Sequence, residues 1–260
     1  MITNFKLAIS KKNIFRFFIV PFLLLAVAAV AVYYITDYIN RPRFVRYPAF
    51  GIDIPENFIM HGIDVSHHQE NIDWDAVKAM QVKNIKIGFA FIKATEGLGR
   101  VDNTFRQNWY NAKQAAIPIG AYHYFNSGKS GKAQAENFIG TVNLQKGDLP
   151  PVLDIEETNG ASMEDLQQRA GDWLKRIQEF YKVRPIIYTN IHFYENFLAG
   201  KFDDYPLWVA HYLASEKPHI QRNWNFWQHN EKGHVNGITA CVDFNVFNGD
   251  STAFRNLLIK

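Results

Sequence analysis

The stretch Leu149-Pro150-Pro151-Val152-Leu153-Asp154-Ile155-Glu156-Glu157 sets carboxylates into a run that otherwise has the make-up of a buried strand. Two prolines precede it, which fits a rigid turn leading into a short apolar segment. Side chains alternate along a strand, so Val152, Asp154 and Glu156 share one face while Leu153 and Ile155 share the other. Burying an ionised carboxylate is costly unless it is paired or hydrogen-bonded. An acid capping the next helix would account for one such residue, but two on one face point to acid/base chemistry.

Two further acids sit between apolar neighbours: Asp64 in Gly62-Ile63-Asp64-Val65 and Asp243 in Val242-Asp243-Phe244. If their strands close on the one carrying Asp154, four carboxyl groups rim one end of the same structure. Like charges held together raise at least one pKa, which keeps one acid protonated beside an ionised partner. Glycoside hydrolysis uses such a pair. Aromatic residues recur at the same strand ends: Tyr122, Tyr124, Phe125, Tyr188, Trp208, Tyr212 and Trp227, the last beside Gln228. Aromatic faces suit sugar rings, while Tyr hydroxyls and a Gln amide can bond sugar hydroxyls. Tyr122, Tyr124, Tyr188, Trp208 and Gln228 are the expected substrate contacts.

The nine histidines include no His-x-x-x-His pair, and the adjacent His67 and His68 would diverge on a strand or turn, so neither metal nor cofactor is expected. The single cysteine, Cys241, excludes an intramolecular disulfide and reads as a small core residue.

These side chains need a scaffold that brings distant segments to one rim. From His61 onward, short apolar runs alternate with helical patterns, the mark of βα units around a parallel sheet. Strands are expected at 61–65, 85–94, 119–125, 152–155, 185–189, 207–211, 225–228 and 241–246. Helices are expected at about 73–83, 104–115, 133–142, 162–181 and 193–198. The last three strands have no long helix between them. Eight mostly parallel strands with a helix-poor second half suggest an α/β, TIM-like closed barrel, (β/α)5(β)3, with catalytic groups at the carboxyl ends of its strands. An open doubly wound sheet is the alternative, weakened by the lack of a Gly-rich phosphate loop.

At 260 residues, 47% hydrophobic and 15% aromatic, the chain can bury one sizeable core. The first 46 residues hold seven of the 28 Lys/Arg and one of the 25 Asp/Glu, so the remainder carries 21 against 24. Its net charge is near −3, with no basic patch calling for nucleic acid. A basic tail at 1–16 precedes an uncharged run at 17–36, long enough for a transmembrane signal anchor. Residues 37–57, with Pro42, Pro48 and Pro55, read as a tether, and 58–260 as the barrel. A membrane anchor with the barrel on the periplasmic or extracellular side is expected, the alternative being secretion after leader cleavage. A monomer is expected.

The ordered motifs Gly62-Ile63-Asp64-Val65-Ser66, Ile72-Asp73-Trp74, Phe91-Ile92-Lys93-Ala94-Thr95-Glu96-Gly97, Gly120-Ala121-Tyr122-His123-Tyr124, Pro151-Val152-Leu153-Asp154-Ile155-Glu156, Ile187-Tyr188-Thr189-Asn190, Leu207-Trp208-Val209-Ala210, Phe226-Trp227-Gln228 and Val242-Asp243-Phe244-Asn245 resemble glycoside hydrolase family 25, the Chalaropsis-type lysozymes or N,O-diacetylmuramidases. The resemblance runs from about His61 to Phe247. It implies a barrel of five βα units and three further strands. It also implies cleavage of the β-1,4 bond from N-acetylmuramic acid to N-acetylglucosamine in peptidoglycan. Glu156 matches the family's general acid, Asp154 its partner, and Asp64 and Asp243 the other active-site acids. Two positions depart from the pattern: Glu70 follows Gln69 where Gly is frequent, and His229 follows Trp227-Gln228 where Tyr is frequent. A catalytically silent, membrane-anchored peptidoglycan-binding module is the alternative function, and the intact acids weigh against it.

Overall fold

The computed structural model describes residues 18–41, 43–212 and 217–260. The basic tail assigned to 1–16 lies outside them. The chain divides into two units, one ending at Pro42 and the other running from Arg43 to Lys260.

The described part of the first unit is dominated by one helix, α1 (Val20–Asn40), with Pro21 in its first turn, where a missing N–H costs nothing. Its large apolar side chains, Leu23, Leu24, Leu25 and Val27 among them, are exposed. Among the described residues no helix is long and apolar enough to cross a membrane.

The second unit begins with a hairpin of β1 (Phe44–Tyr47) and β2 (Ile52–Pro55), antiparallel from Phe44↔Pro55 to Tyr47↔Ile52. There follow β3 (Met60–Val65), α2 (Trp74–Ala79), β4 (Ile85–Glu96), α3 (Phe105–Gln114), β5 (Ile119–Tyr124), α4 (Gly131–Thr141), β6 (Val152–Asp154), α5 (Met163–Tyr181), β7 (Ile186–Asn190), a short helical turn (Ile191–Leu198), β8 (Leu207–Ala210), β9 (Phe226–Gly233), β10 (Val242–Phe247) and α6 (Ser251–Leu257). Side-chain caps explain where several helices start: Asp73, Ser130, Ser162 and Asp250 each accept the backbone N–H three residues on.

Strands β3 to β10 form a ring in the order β3-β10-β9-β8-β7-β6-β5-β4, closed by β3 pairing with β4. The barrel is therefore closed, as the alternation of strands and helices implied, and not an open sheet. Neighbours run parallel except β10, which is antiparallel to both β9 and β3. Among the described residues no long helix lies between the last three strands, matching the sequence reading. The structure adds α6 after the ring.

Strand alternation sorts the apolar side chains into two clusters. Phe89, Phe91, Val152, Ile186, Tyr188, Trp208, Phe226 and Phe247 fill the barrel, closed below by Phe254 of α6. Ile63, Val65, Ala90, Ile92, Leu153, Ile155, Val209 and Trp227 face outward to the surrounding elements. Gly62 and Gly120 make the interior possible, because a Cβ at either would lie 2.5 or 2.6 Å from the Phe89 or Phe91 ring. Those two rings stand edge to face at 5.9 Å, with Trp208 stacked on Phe91 at 4.4 Å.

The stretch assigned as a tether is folded from Arg43 onward. Tyr47, Phe50, Ile52 and Ile54 are fully buried, Phe44 lies edge-on to Trp227 at 5.9 Å, and Phe50 meets Phe244 at 5.4 Å. The hairpin thus covers the outer wall of β9 and β10, where the helix-poor half leaves apolar side chains without a layer to cover them. Prolines at its turn and end make it look like a linker, yet burial of its aromatic and β-branched residues outweighs that signal. Beneath it, burial drives the His61 pKa down to about 4 and that of His229 to about 3, so both rings are neutral.

Candidate active site

At the end of the barrel where the parallel strands finish, an open cavity of about 270 Å³ is lined by Asp64, Asp154, Glu156 and Asp243. Tyr122, Tyr124, Tyr188, Trp208 and Gln228 line it too, so the structure gathers all nine sequence-derived site residues in one place. Two aromatics expected at this rim turn away. Phe125 and Trp227 pack in the outer layer, with Trp227 donating its indole N–H to the carbonyl of His211 at 2.9 Å. The parity of Gln228 accounts for Trp227: the residue beside an inward side chain faces out.

Strand register explains the meeting of the acids. Asp154 pairs with Tyr124 on one side and Tyr188 on the other. Glu156 lies two residues further, beyond the last bonded position of β6, which gives it more freedom and more solvent. Across the ring, Asp64 pairs with Asp243. Because β10 runs antiparallel, Asp243 enters the mouth from the beginning of its strand, whereas Asp64 comes near the end of β3.

Asp64 is held as an acceptor. Its Oδ2 receives the Gln228 Nε2 amide at 2.8 Å and the Asn245 Nδ2 amide at 2.7 Å. Asn245 in turn accepts the Trp208 indole N–H at 2.7 Å, and the Gln228 carbonyl oxygen accepts the Tyr188 hydroxyl at 2.7 Å and that of Tyr212. This chain fixes both amide orientations, since each carbonyl already has a donor. Burial raises the Asp64 pKa to about 6 against the opposing effect of the amide donors and the bond from Asp243. Asp243 is pushed up to about 9 by burial first, then by the Asp64 charge and their hydrogen bond. At neutral pH the pair therefore carries one proton, on Asp243.

The second pair behaves similarly. Asp154 is raised well above the usual carboxylate range by burial, then by Glu156, with the Lys93 ammonium opposing. Glu156 is raised by burial, its bond to Asp154 pulling the other way. Burial acts more strongly on Asp154, the deeper of the two. One buried oxygen, Asp154 Oδ1, has no hydrogen-bond partner among the described residues.

Sequence reasoning passed over Lys93, His68 and Asn245. Lys93 lines the cavity, bonds Glu96 at 2.8 Å and sits 4.8 Å from the centre of the Tyr124 ring. Asn245 shares the inward parity of Asp243, and Lys93 that of Phe89 and Phe91, so alternation alone placed both inside. The Ser66-His67-His68-Gln69 turn follows β3 with a reciprocal cap: Ser66 accepts the His68 amide and donates its own to Gln69 at 2.9 Å. His67 bonds Asp102 through Nδ1 at 2.9 Å. The departure at Glu70 has a visible consequence, since this residue adopts φ 51° and ψ −127°, a conformation suited to glycine.

Comparison with known proteins places this arrangement. The family described as glycosyl hydrolases family 25 matches residues 63–238. An uncharacterised Escherichia coli K12 protein, YegX, is 45% identical over 215 residues, covering 83% of this chain and 79% of its own length. Lysozyme M1 of Streptomyces globisporus is 36% identical over 212 residues, covering 74% of this chain and 69% of its own. Among solved structures, a family 25 glycosyl hydrolase from Bacillus anthracis superposes with a TM-score of 0.71 at 31% identity, covering 78% of this chain and 95% of that one. A lysozyme from Streptomyces coelicolor gives 0.69 at 34% identity, covering 76% and 96%.

Proposed function

The chain belongs to glycosyl hydrolase family 25 and is a glycoside hydrolase of the muramidase kind; we propose that it cleaves the β-1,4 bond following N-acetylmuramic acid in peptidoglycan, with Glu156 as general acid. The observation that carries this reading is the pairing of four carboxyl groups in one cavity, each raised above its ordinary pKa. Such a site keeps a transferable proton near neutral pH.

Asp154 supplies the complementary role. Its unpartnered Oδ1 suits a substrate N–H, and the 2-acetamido group of the sugar carries one. When that N–H bonds Asp154, its carboxylate form is favoured and Glu156 serves as the protonated partner. Glu156 then protonates the glycosidic oxygen while the acetamido carbonyl or a carboxylate stabilises the positive charge developing on the sugar. Tyr122, Tyr124, Tyr188, Trp208 and Gln228 form the surrounding walls.

The test is release of muropeptides ending in reducing muramic acid by the purified protein beside Glu156→Gln. A fall of about 10²- to 10⁴-fold without loss of fold is expected. Binding of peptidoglycan with no release by the wild type would instead identify a silent binding module.

The chain is proposed to be membrane-anchored, with the barrel outside the cytoplasm. The support is the uncharged run from Phe17 to Thr36 behind Lys6, Lys11, Lys12 and Arg16 in the sequence. Cell fractionation sinks the anchor if the mature protein is soluble and lacks its first residues, the outcome expected of a cleaved leader.

A further inference from the structure

We propose that the floor of the barrel, the end opposite the carboxylates, is a docking surface for an anionic lipid membrane. A groove of about 460 Å³ opens there between the segment joining α5 to β7 and the residues following α6. Lys182, Arg184 and Lys260 line it and are exposed, and no acidic side chain lies among its lining residues. Leu257, Leu258 and Ile259 supply an aliphatic wall.

Two of the three cations are held in place. Arg184 donates to the carbonyl of Asp204 at 2.7 Å and lies 5.8 Å from the centre of the Tyr205 ring. Lys260 donates to the carbonyl of Arg255 at 3.0 Å, and Lys182 is the left-handed residue ending α5. Lys83 and Lys146, also exposed, precede β4 and β6 at the same end, and the exposed Lys86 is the second residue of β4. On the loop before β8, Asp203 is engaged by the Tyr194 hydroxyl and the Gly200 amide, while the exposed Asp204 beside Arg184 offsets part of the positive charge.

Charge complementarity and chain path select the occupant. An anionic surface is attracted to this floor and repelled by a mouth bearing Asp64, Asp154, Glu156 and Asp243. The aliphatic wall suits the glycerol and first acyl carbons of a lipid and leaves a free phosphate ion without a use for it. The barrel unit begins at the same end, where the Arg43 amide bonds Asn57, just before β3 starts at Met60. Docking by the floor turns the mouth away from the lipid. This inference goes beyond the proposed muramidase activity and does not rest on it.

Residues 43–260 carry both hydrophobic clusters and the whole ring, so this unit has its own core and can be tested without α1. The probe is co-sedimentation with vesicles of phosphatidylglycerol and phosphatidylcholine against phosphatidylcholine alone. Salt-sensitive binding to the anionic vesicles only is expected, weakened about a hundredfold by the combined Lys182→Glu, Arg184→Glu and Lys260→Glu changes. That variant should release muropeptides from soluble glycan at the wild-type rate. Lys182→Glu alone, expected to weaken binding several-fold, provides a milder check should the triple variant fail to fold. Equal binding to both vesicle types, undiminished binding by either variant, or displacement by millimolar inorganic phosphate would each overturn the proposal. Loss of muropeptide release with vesicle binding intact would count against the catalytic reading alone.

Discussion

Asp64 and Asp243 stand directly opposite each other in the antiparallel pairing of β3 with β10. Opposed like charges repel, and both side chains are largely withdrawn from water. The arrangement holds because one proton stays between them. Asp64 is the acceptor of two amides and a carboxyl, and Asp243 is the donor.

The pair makes stability depend on pH. The Asp243 pKa rises from an ordinary 3.8 to about 9, so its contribution is complete below about pH 4 and is lost as pH rises through 9. Asp243→Asn keeps a donor and cannot ionise. Its melting temperature should therefore gain on the wild type between pH 5 and pH 9, by about 2–4 °C for each kcal/mol of relieved repulsion. Thermal scans at the two pH values check this, and a constant gap would argue against the shared proton.

Lys93 tests the second pair. Its charge draws the Asp154 pKa down, so Lys93→Met should move both limbs of the pH–rate profile to higher pH, while Lys93→Arg should leave them near their original positions. Hydrolysis of soluble glycan across a pH series gives the answer. A loss of rate with an unmoved profile would mean that Lys93 only shapes the wall.

Glu70 carries backbone strain. A side chain at φ 51° and ψ −127° costs about 1–2 kcal/mol relative to glycine. Glu70→Gly is expected to raise the melting temperature by about 2–4 °C, and Glu70→Ala to give no comparable gain. Equal gains from the two would trace the effect to the removed charge.

The hairpin should be energetically part of the barrel. Phe50 is fully buried against Phe244, so Phe50→Ala should cost about 3–5 kcal/mol in urea unfolding. A linker side chain would cost nothing measurable.

The barrel and its rim were legible because alternation is a strict rule. Asp64, Asp154 and Asp243 could be pointed inward from their apolar neighbours alone, and the same parity, applied further, would have brought in Lys93 and Asn245 and turned Trp227 out. Glu156 shows where the rule thins, since it lies past the end of β6 and its position depends on a loop. The hairpin escaped because Pro48 and Pro55 dominate a short segment, although Ile52 and Ile54 alternate as a strand should. What covers a barrel wall is a tertiary question, and no local period reports it. The direction of β10 was equally hidden, because antiparallel and parallel strands share one side-chain period.

The hairpin also settles how force enters the molecule. Any pull transmitted along the chain from α1 arrives at Arg43, beside the open end of the β1–β2 ladder where Phe44 pairs with Pro55. Load applied there separates the pairs one after another rather than shearing them together. Peeling residues 43–55 away releases about 40 Å of chain before the ring itself is stretched. The hairpin is therefore a mechanical fuse, and single-molecule pulling from the amino end should show a short, low-force extension ahead of barrel rupture.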